Sequence, residues 1–204
     1  MNLGDLRLKV NLRLGLRQPD RFYAPDLVDK AINDAIERID SEHKWTWLET
    51  STTSVFTAGD IENTLPVDWR STKGVFWNGN VVTPVSIAEL LYHQERTGTQ
   101  PMYYYIGNGT LSIAPEPSQS VTLVHVYYKA SPELEADDDE PLIPRPWQQV
   151  IIHAAVSDLA PDREDYDLAA KAEAMYQDAI AKMRKSLRPT GQPFTVRVRP
   201  GSQI

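Results

Sequence analysis

Apolar residues recur at helical spacing towards both ends of the chain and at strand spacing between them. Leu3, Leu6, Val10 and Leu14 predict a first helix over 3 to about 14, with Asn2 placed to cap its first amides. Leu8 and Leu12 widen its apolar surface, so more than one neighbour is expected to cover it. Residues 15–23 read as a connection. Pro25 suits the first turn of a second helix, and Asp26 and Asp29 suit the positive end of its dipole. Its stripe is Leu27, Val28, Ala31, Ile32, Ala35, Ile36 and Ile39.

From Trp47 the period changes. Short segments rich in β-branched and aromatic residues occur around 49–57, 75–77, 81–85, 102–106, 110–114 and 121–128. Asn78-Gly79 signals a two-residue hairpin, and Gly107-Asn108-Gly109 a second tight turn. Residues 86–92 predict one short helix between strands. Pro115, Pro117, Pro132, Pro141, Pro144 and Pro146 then punctuate the exit from the strands. A third helix follows, facing Trp147, Val150, Ile151, Ala154, Ala155 and Leu159 inward and stopped by Pro161. A fourth runs from about 162 to 187 on Leu168, Ala172, Met175, Ala179, Met183 and Leu187.

The short link makes the last two helices antiparallel neighbours. A helical pair alone would leave its stripe in water at about 25 cal/mol per Å², so the first pair is expected to pack on the last. The fold class is α+β: an antiparallel helical bundle of two N-terminal and two C-terminal helices, with an inserted small antiparallel β-sheet or open barrel and an extended C-terminal tail. Residues 1–46 form the first half of the helical core and 47–130 the inserted β-rich domain. Residues 131–187 form the acidic loop with the second half, and 188–204 the tail.

In the tail, Phe194, Val196 and Val198 alternate with Thr195, Arg197 and Arg199, giving an apolar row and a cationic row on an extended segment. Pro189, Gly191, Pro193, Pro200 and Gly201 keep it from forming an element alone, and ordering it costs roughly 1–2 kcal/mol of backbone entropy per residue. Addition to another chain's sheet edge would meet that cost. Arg188 and residues 194–199 are therefore read as a docking segment.

The 204 residues suffice for one sizeable core, or a core with an inserted module. Cysteine is absent, which removes disulfides and thiolate metal sites. Charges interrupt the start of the chain, and no stretch approaches the roughly 18 apolar residues that span a bilayer, so a soluble, untargeted protein without a membrane role is expected. A net charge of −7 argues against gripping nucleic acid over the whole surface. The charge is uneven: 131–173 holds twelve acidic residues against three basic ones, whereas 181–204 holds six basic and no acidic residues. Such asymmetry can orient a subunit against charged neighbours; a solvated acidic loop followed by a cationic helix end accounts for it equally well.

No catalytic constellation emerges. His43, His93, His125 and His153 lack ligand spacing for a metal, and no cofactor is expected. Ser157, one turn below His153 and beside Asp158, lacks the strained turn that exposes a nucleophile. The run 137–140 is consecutive rather than alternating and has no turn glycine, so it reads as a solvated loop rather than a calcium site. Glu49, Glu62, Glu89, Glu95 and Glu116 are scattered and give no placed carboxylate pair. GNGT lacks a phosphate loop's lysine and following helix. The aromatics Trp45, Trp47, Trp69, Trp77, Tyr103, Tyr104, Tyr105, Tyr127 and Tyr128 crowd the β block. Core packing and subunit contacts explain them better than ligand stacking, and Trp69, Trp77, Tyr103 and Tyr104 are the candidate subunit or tail-interface aromatics.

The whole series resembles the head–tail adaptor, or connector, proteins of tailed bacteriophages and gene-transfer particles. The likeness covers residues 3–187 and is carried by LRLKVNLRLG, PDLVDKAINDAIERIDSEHKWTWLET, TLPVDWR, GTQPMYYYIGNGTLSIAPEP, VTLVHVYYKASPEL and DDEPLIPRPWQQVIIHAAVSDL. The resemblance implies a structural virion protein and not an enzyme. It implies a ring of twelve copies beneath the portal, at the neck, assembled in the host cytoplasm. Its partners would be the portal protein, copies of itself, tail or stopper proteins, and duplex DNA passing through without specific binding. In such adaptors an extended C-terminal segment reaches the portal, and residues 194–199 occupy that place here. A different tail-interface or stopper protein is the next reading, followed by a carbohydrate-binding or small hydrolase domain built on the aromatic block.

Overall fold

The computed structural model describes residues 1–16, 23–94, 97–98 and 100–186. Helix α1 spans Leu3–Arg13, and the side chain of Asn2 accepts the Asp5 amide at 2.9 Å. Leu3, Leu6, Val10 and Leu14 are buried as the spacing predicts, while Leu8 and Leu12 stay 60% and 59% exposed. Helix α2 spans Pro25–Glu42 and buries Val28, Ala31, Ile32, Ala35, Ile36 and Ile39. Leu27, in its first turn, departs from the predicted stripe and is exposed.

The two C-terminal helices are α4, Gln149–Leu159, and α5, Tyr166–Ser186. Helix α4 ends two residues before Pro161, as expected: the proline withdraws an amide from the α-helical ladder, and residues Ala160–Arg163 tighten into a 3₁₀ turn that closes at Glu164, at φ 60. The buried face of α5 is Ala172, Tyr176, Ile180 and Met183, so the predicted stripe is rotated and Met175 is exposed. Leu187 lies outside the described residues.

The β block comprises β1 Glu49–Phe56, β2 Glu62–Thr64, β3 Trp69–Trp77, β4 Asn80–Pro84, β5 Thr97–Gly98, β6 Tyr103–Gly107, β7 Thr110–Ala114, β8 Glu116–Pro117 and β9 Val121–Lys129. A short helix, α3 Ile87–Gln94, follows β4. Seven strands form one sheet in the order β1-β9-β3-β4-β6-β7-β2. Asn63 on β2 donates from Nδ2 to the Val55 carbonyl of β1 at 3.1 Å, so the outer strands nearly close the sheet. The sheet is not purely antiparallel. The β4–β6 pair is parallel, because α3 carries the chain back before β6 begins. Both predicted tight turns are present, with positive φ at Asn78, Gly79, Asn108 and Gly109.

Two apolar cores result. One is shared by α1, α2, α4 and α5 with Trp45, Leu48, Leu134 and Ile143. The other fills the curled sheet with Phe56, Val75, Leu111, Ile113 and Leu123 among others. Trp45, counted with the β-block aromatics from sequence, belongs to the helical core. Its indole N–H donates to the Ile39 carbonyl at 2.6 Å, and its ring stacks on Trp47 at 4.8 Å. Among the described residues no helix is long and apolar enough to cross a membrane.

Candidate docking surfaces

Asp137, Asp138 and Glu140 are exposed, as a solvated acidic loop requires, but the loop's backbone is engaged. The Leu3 and Gly4 amides donate to the carbonyls of Asp139 and Asp137 at 2.9 and 3.0 Å, so the loop backbone satisfies the open end of α1. Asp139 Oδ2 accepts the amides of Glu135 and Ala136, which holds its carboxyl below the usual range. Arg7 ties the assembly together. Its Nε and Nη2 donate to the two carboxylate oxygens of Asp29 at 2.7 Å each, and Nη1 donates to Asp137 at 2.9 Å.

Of the predicted interface aromatics, Tyr104 is buried in the sheet core, and Trp69, Trp77 and Tyr103 are half-buried. Trp69 donates from Nε1 to Thr72 Oγ1 at 3.0 Å, and Thr72 Oγ1 lies 2.9 Å from His125 Nε2. Tyr103 stacks on His93 at 4.0 Å. Trp69 and Tyr104 line one shallow cleft, which neither Trp77 nor Tyr103 joins. The predicted docking segment, Arg188 with residues 194–199, lies outside the described residues.

The polar residues of α4 considered for catalysis are engaged in structure. Ser157 Oγ donates to the Ala154 carbonyl at 2.7 Å, and Asp158 lies 3.6 Å from Arg38. His153 is held below the ordinary histidine range by burial and by Arg13. Among the described residues no group of three or more His, Asp or Glu has the arrangement to hold a metal ion.

Sequence reasoning missed the junction between the two cores. There Asp40 is only 4% exposed, with Oδ2 accepting the Ser131 amide at 3.2 Å. Burial pushes its carboxyl upward, against the pull of that hydrogen bond and of Arg70. The available signal was a carboxylate beside Ile36 and Ile39 on an otherwise apolar stripe. At the far end of α2, Glu42 receives Arg184 from α5 on both its carbonyl, at 2.6 Å, and its carboxylate, at 2.5 Å.

The model for the SU10 adaptor protein family matches residues 1–200. The chain belongs to the SU10 adaptor family. It is therefore a phage structural adaptor and a virion component, in a family of structural proteins rather than enzymes. No curated protein matches the sequence. Among the exposed apolar side chains of this SU10 adaptor are Leu8 and Leu12 on α1 and Ile87 and Leu91 on α3.

Proposed function

We propose that this adaptor forms a ring, of twelve copies, beneath the portal, where it joins capsid to tail and encloses the channel through which DNA leaves. The observation that carries the reading is the family match over residues 1–200, which takes in helices, sheet and most of the tail. In this reading α1, α2, α4 and α5 are an antiparallel bundle carrying the sheet as an inserted domain (residues 47–130). The tail, Arg188 and residues 194–199, pairs with the portal.

Two physical features support it. Rings arise from heterologous contacts whose rotation closes, and the exposed Leu8 and Leu12 give one side of such a contact without disturbing the core. A net charge of −7 spares the subunit as a whole the counterion-release affinity for DNA that a cationic surface would have, so DNA can pass without sticking. In this reading the half-buried Trp69, Trp77 and Tyr103 face subunit or tail-side contacts, while Tyr104 is buried in the sheet core. The free protein is expected to associate weakly, since interfaces completed on a template avoid premature polymerisation.

Cryo-electron microscopy of the chain mixed with its cognate portal tests the reading. A closed ring under the portal, lost when residues 188–204 are deleted, is the expected result. Rings forming in dilute solution without portal, or attachment that survives the deletion, would overturn the template-driven, tail-docked form.

A further inference from the structure

One flank of the helical core gathers cations without a counter-charge. Arg13 of α1, His153 of α4 and Lys171 of α5 converge on a cavity of about 110 Å³, floored by Val156, Leu168 and Ala172 and edged by Met175. Among the described residues no carboxylate lines it, and neither Arg13 nor Lys171 forms a hydrogen bond or an ion pair. Arg13 and Lys171 are exposed, whereas His153 is half-buried and is held below the ordinary histidine range by burial and by Arg13. Positive potential has accumulated at an apolar mouth, and an arriving anion relieves it. The space suits the end of one carboxylate side chain.

The same subunit presents the complementary edge. Asp34 and Glu37 lie about one turn apart on α2, both exposed, and neither forms an ion pair among the described residues. Their neighbour Arg38 is taken by Glu173 at 2.6 Å and Asp158 at 3.6 Å. The pair also lines the groove where α2 passes beside the sheet, in which four carboxylates face the single cation Arg70. Cavity and acidic edge lie on opposite flanks of α5. Glu173 turns to Arg38 of α2, while Lys171 and Met175, each two residues away and so about 200° around the helix, turn to the cavity. A subunit therefore cannot bring these carboxylates to its own cavity.

We propose that copies of this chain meet with the Asp34–Glu37 edge of one seated on the Arg13–His153–Lys171 cavity of the next. The exposed Leu8 and Leu12 of α1, with Met175 at the rim, add the apolar area that surface ion pairs lack. The two surfaces differ, so the contact is heterologous: each copy keeps one surface of each kind for a further neighbour, and the series closes into a ring where the rotation allows. The ionic part is near the surface and weakens with salt. This inference rests on the ring reading for its place in the virion and names the surfaces through which neighbours would touch.

Sedimentation equilibrium of the full chain in concentrated solution, without portal, tests it. Lys171→Glu and Glu37→Lys should each weaken self-association about tenfold at low salt, since like charges then face one another. One substitution raises the net negative charge and the other lowers it, so repulsion between whole subunits cannot account for both losses. The chain carrying both reversals should recover native association, which also shows that the single losses are not unfolding. Because the chain has no native cysteine, Asp34→Cys chains mixed with Lys171→Cys chains should cross-link through a short bis-maleimide, and neither should cross-link to itself. Association indifferent to the reversals, strengthened by Lys171→Glu, or not recovered in the double reversal would overturn the proposal, as would a native chain still monomeric at about 1 mM. A ring under the portal that ignores the reversals would sink this inference alone; the stated contact without any ring under the portal would sink the ring reading and leave the contact standing.

Discussion

Replacing Asp29 by asparagine should cost this adaptor more than replacing Asp137, although both carboxylates touch the same guanidinium. Arg7 meets Asp29 with two parallel bonds of 2.7 Å, in a pair whose side chains are 24% and 22% exposed. It meets Asp137 with a single bond of 2.9 Å, and that partner is 78% exposed. The Asp29 hydrogen bonds are also the strongest influence raising the Arg7 pKa. Exposed pairs contribute about 0.2–1 kcal/mol, and a forked, charge-assisted pair roughly doubles that. The expected coupling is therefore about 1–2 kcal/mol for Arg7 with Asp29 and about 0.2–0.5 kcal/mol for Arg7 with Asp137.

Double-mutant cycles in urea read these couplings directly. Arg7→Met removes the charge and keeps the stem's packing, and Asp29→Asn and Asp137→Asn supply the other corners. A coupling near 1.5 kcal/mol corresponds to a few degrees of Tm in a chain of this size. The loop's hold on α1 does not depend on the Asp137 charge, because the carbonyls of Asp137 and Asp139 accept the Gly4 and Leu3 amides. Equal couplings, or a larger one for Asp137, would refute the reasoning and make loop charge the principal tie to α1.

Three further outcomes are expected. Trp45→Phe should lose about 2–4 kcal/mol in urea denaturation, since the Ile39 carbonyl forfeits its indole donor and the smaller ring leaves space in a fully buried site; a loss below about 1 kcal/mol would contradict this. Burial raises the folded-state pKa of Asp40, so its proton is held more tightly in the folded protein and this group adds stability as pH falls. The urea midpoint of the native protein should then gain on that of Asp40→Asn between about pH 7 and about pH 4, and a constant difference would refute it. Tyr127, pushed up to about 12 by burial and by its bond to Asp68 at 2.9 Å, should titrate lower in Asp68→Asn when phenolate absorbance is followed, and no change would remove Asp68 as a cause.

Helix existence, the buried leucines of α1 and both glycine turns were legible because each is a local matter of spacing or of φ. What failed depended on neighbours. The buried face of α5 was misread because Tyr176 counts as amphipathic in a pattern, whereas here its ring is fully buried with the Arg38 guanidinium 4.2 Å away. Strand β2 has three residues and owes its existence to pairing with β7 rather than to its own composition. The parallel β4–β6 pair was hidden because hairpin signals describe only adjacent antiparallel strands. Acidic residues at 137–139 suggest solvation, yet it is their carbonyls, invisible to side-chain reasoning, that cap α1.

The candidate surfaces were legible in the same uneven way. The aromatic series pointed to the β block, but whether Tyr104 is core or surface depended on the sheet curling until it nearly closed. The groove beside α2 could not be read because its carboxylates come from three separated parts of the chain. Asp34, Glu37 and Asp40 share a helix, Glu133 arrives from the loop after the sheet, and Trp69 and Arg70 arrive from within it. Only packing of the two cores brings them together. Helix α2 is what relates those parts: its apolar face fills the helical core, its polar edge lines the junction, and Glu42 at its end holds α5 where the tail begins. A displacement of α2 would thus alter the lining of the junction and the hold on α5 at once.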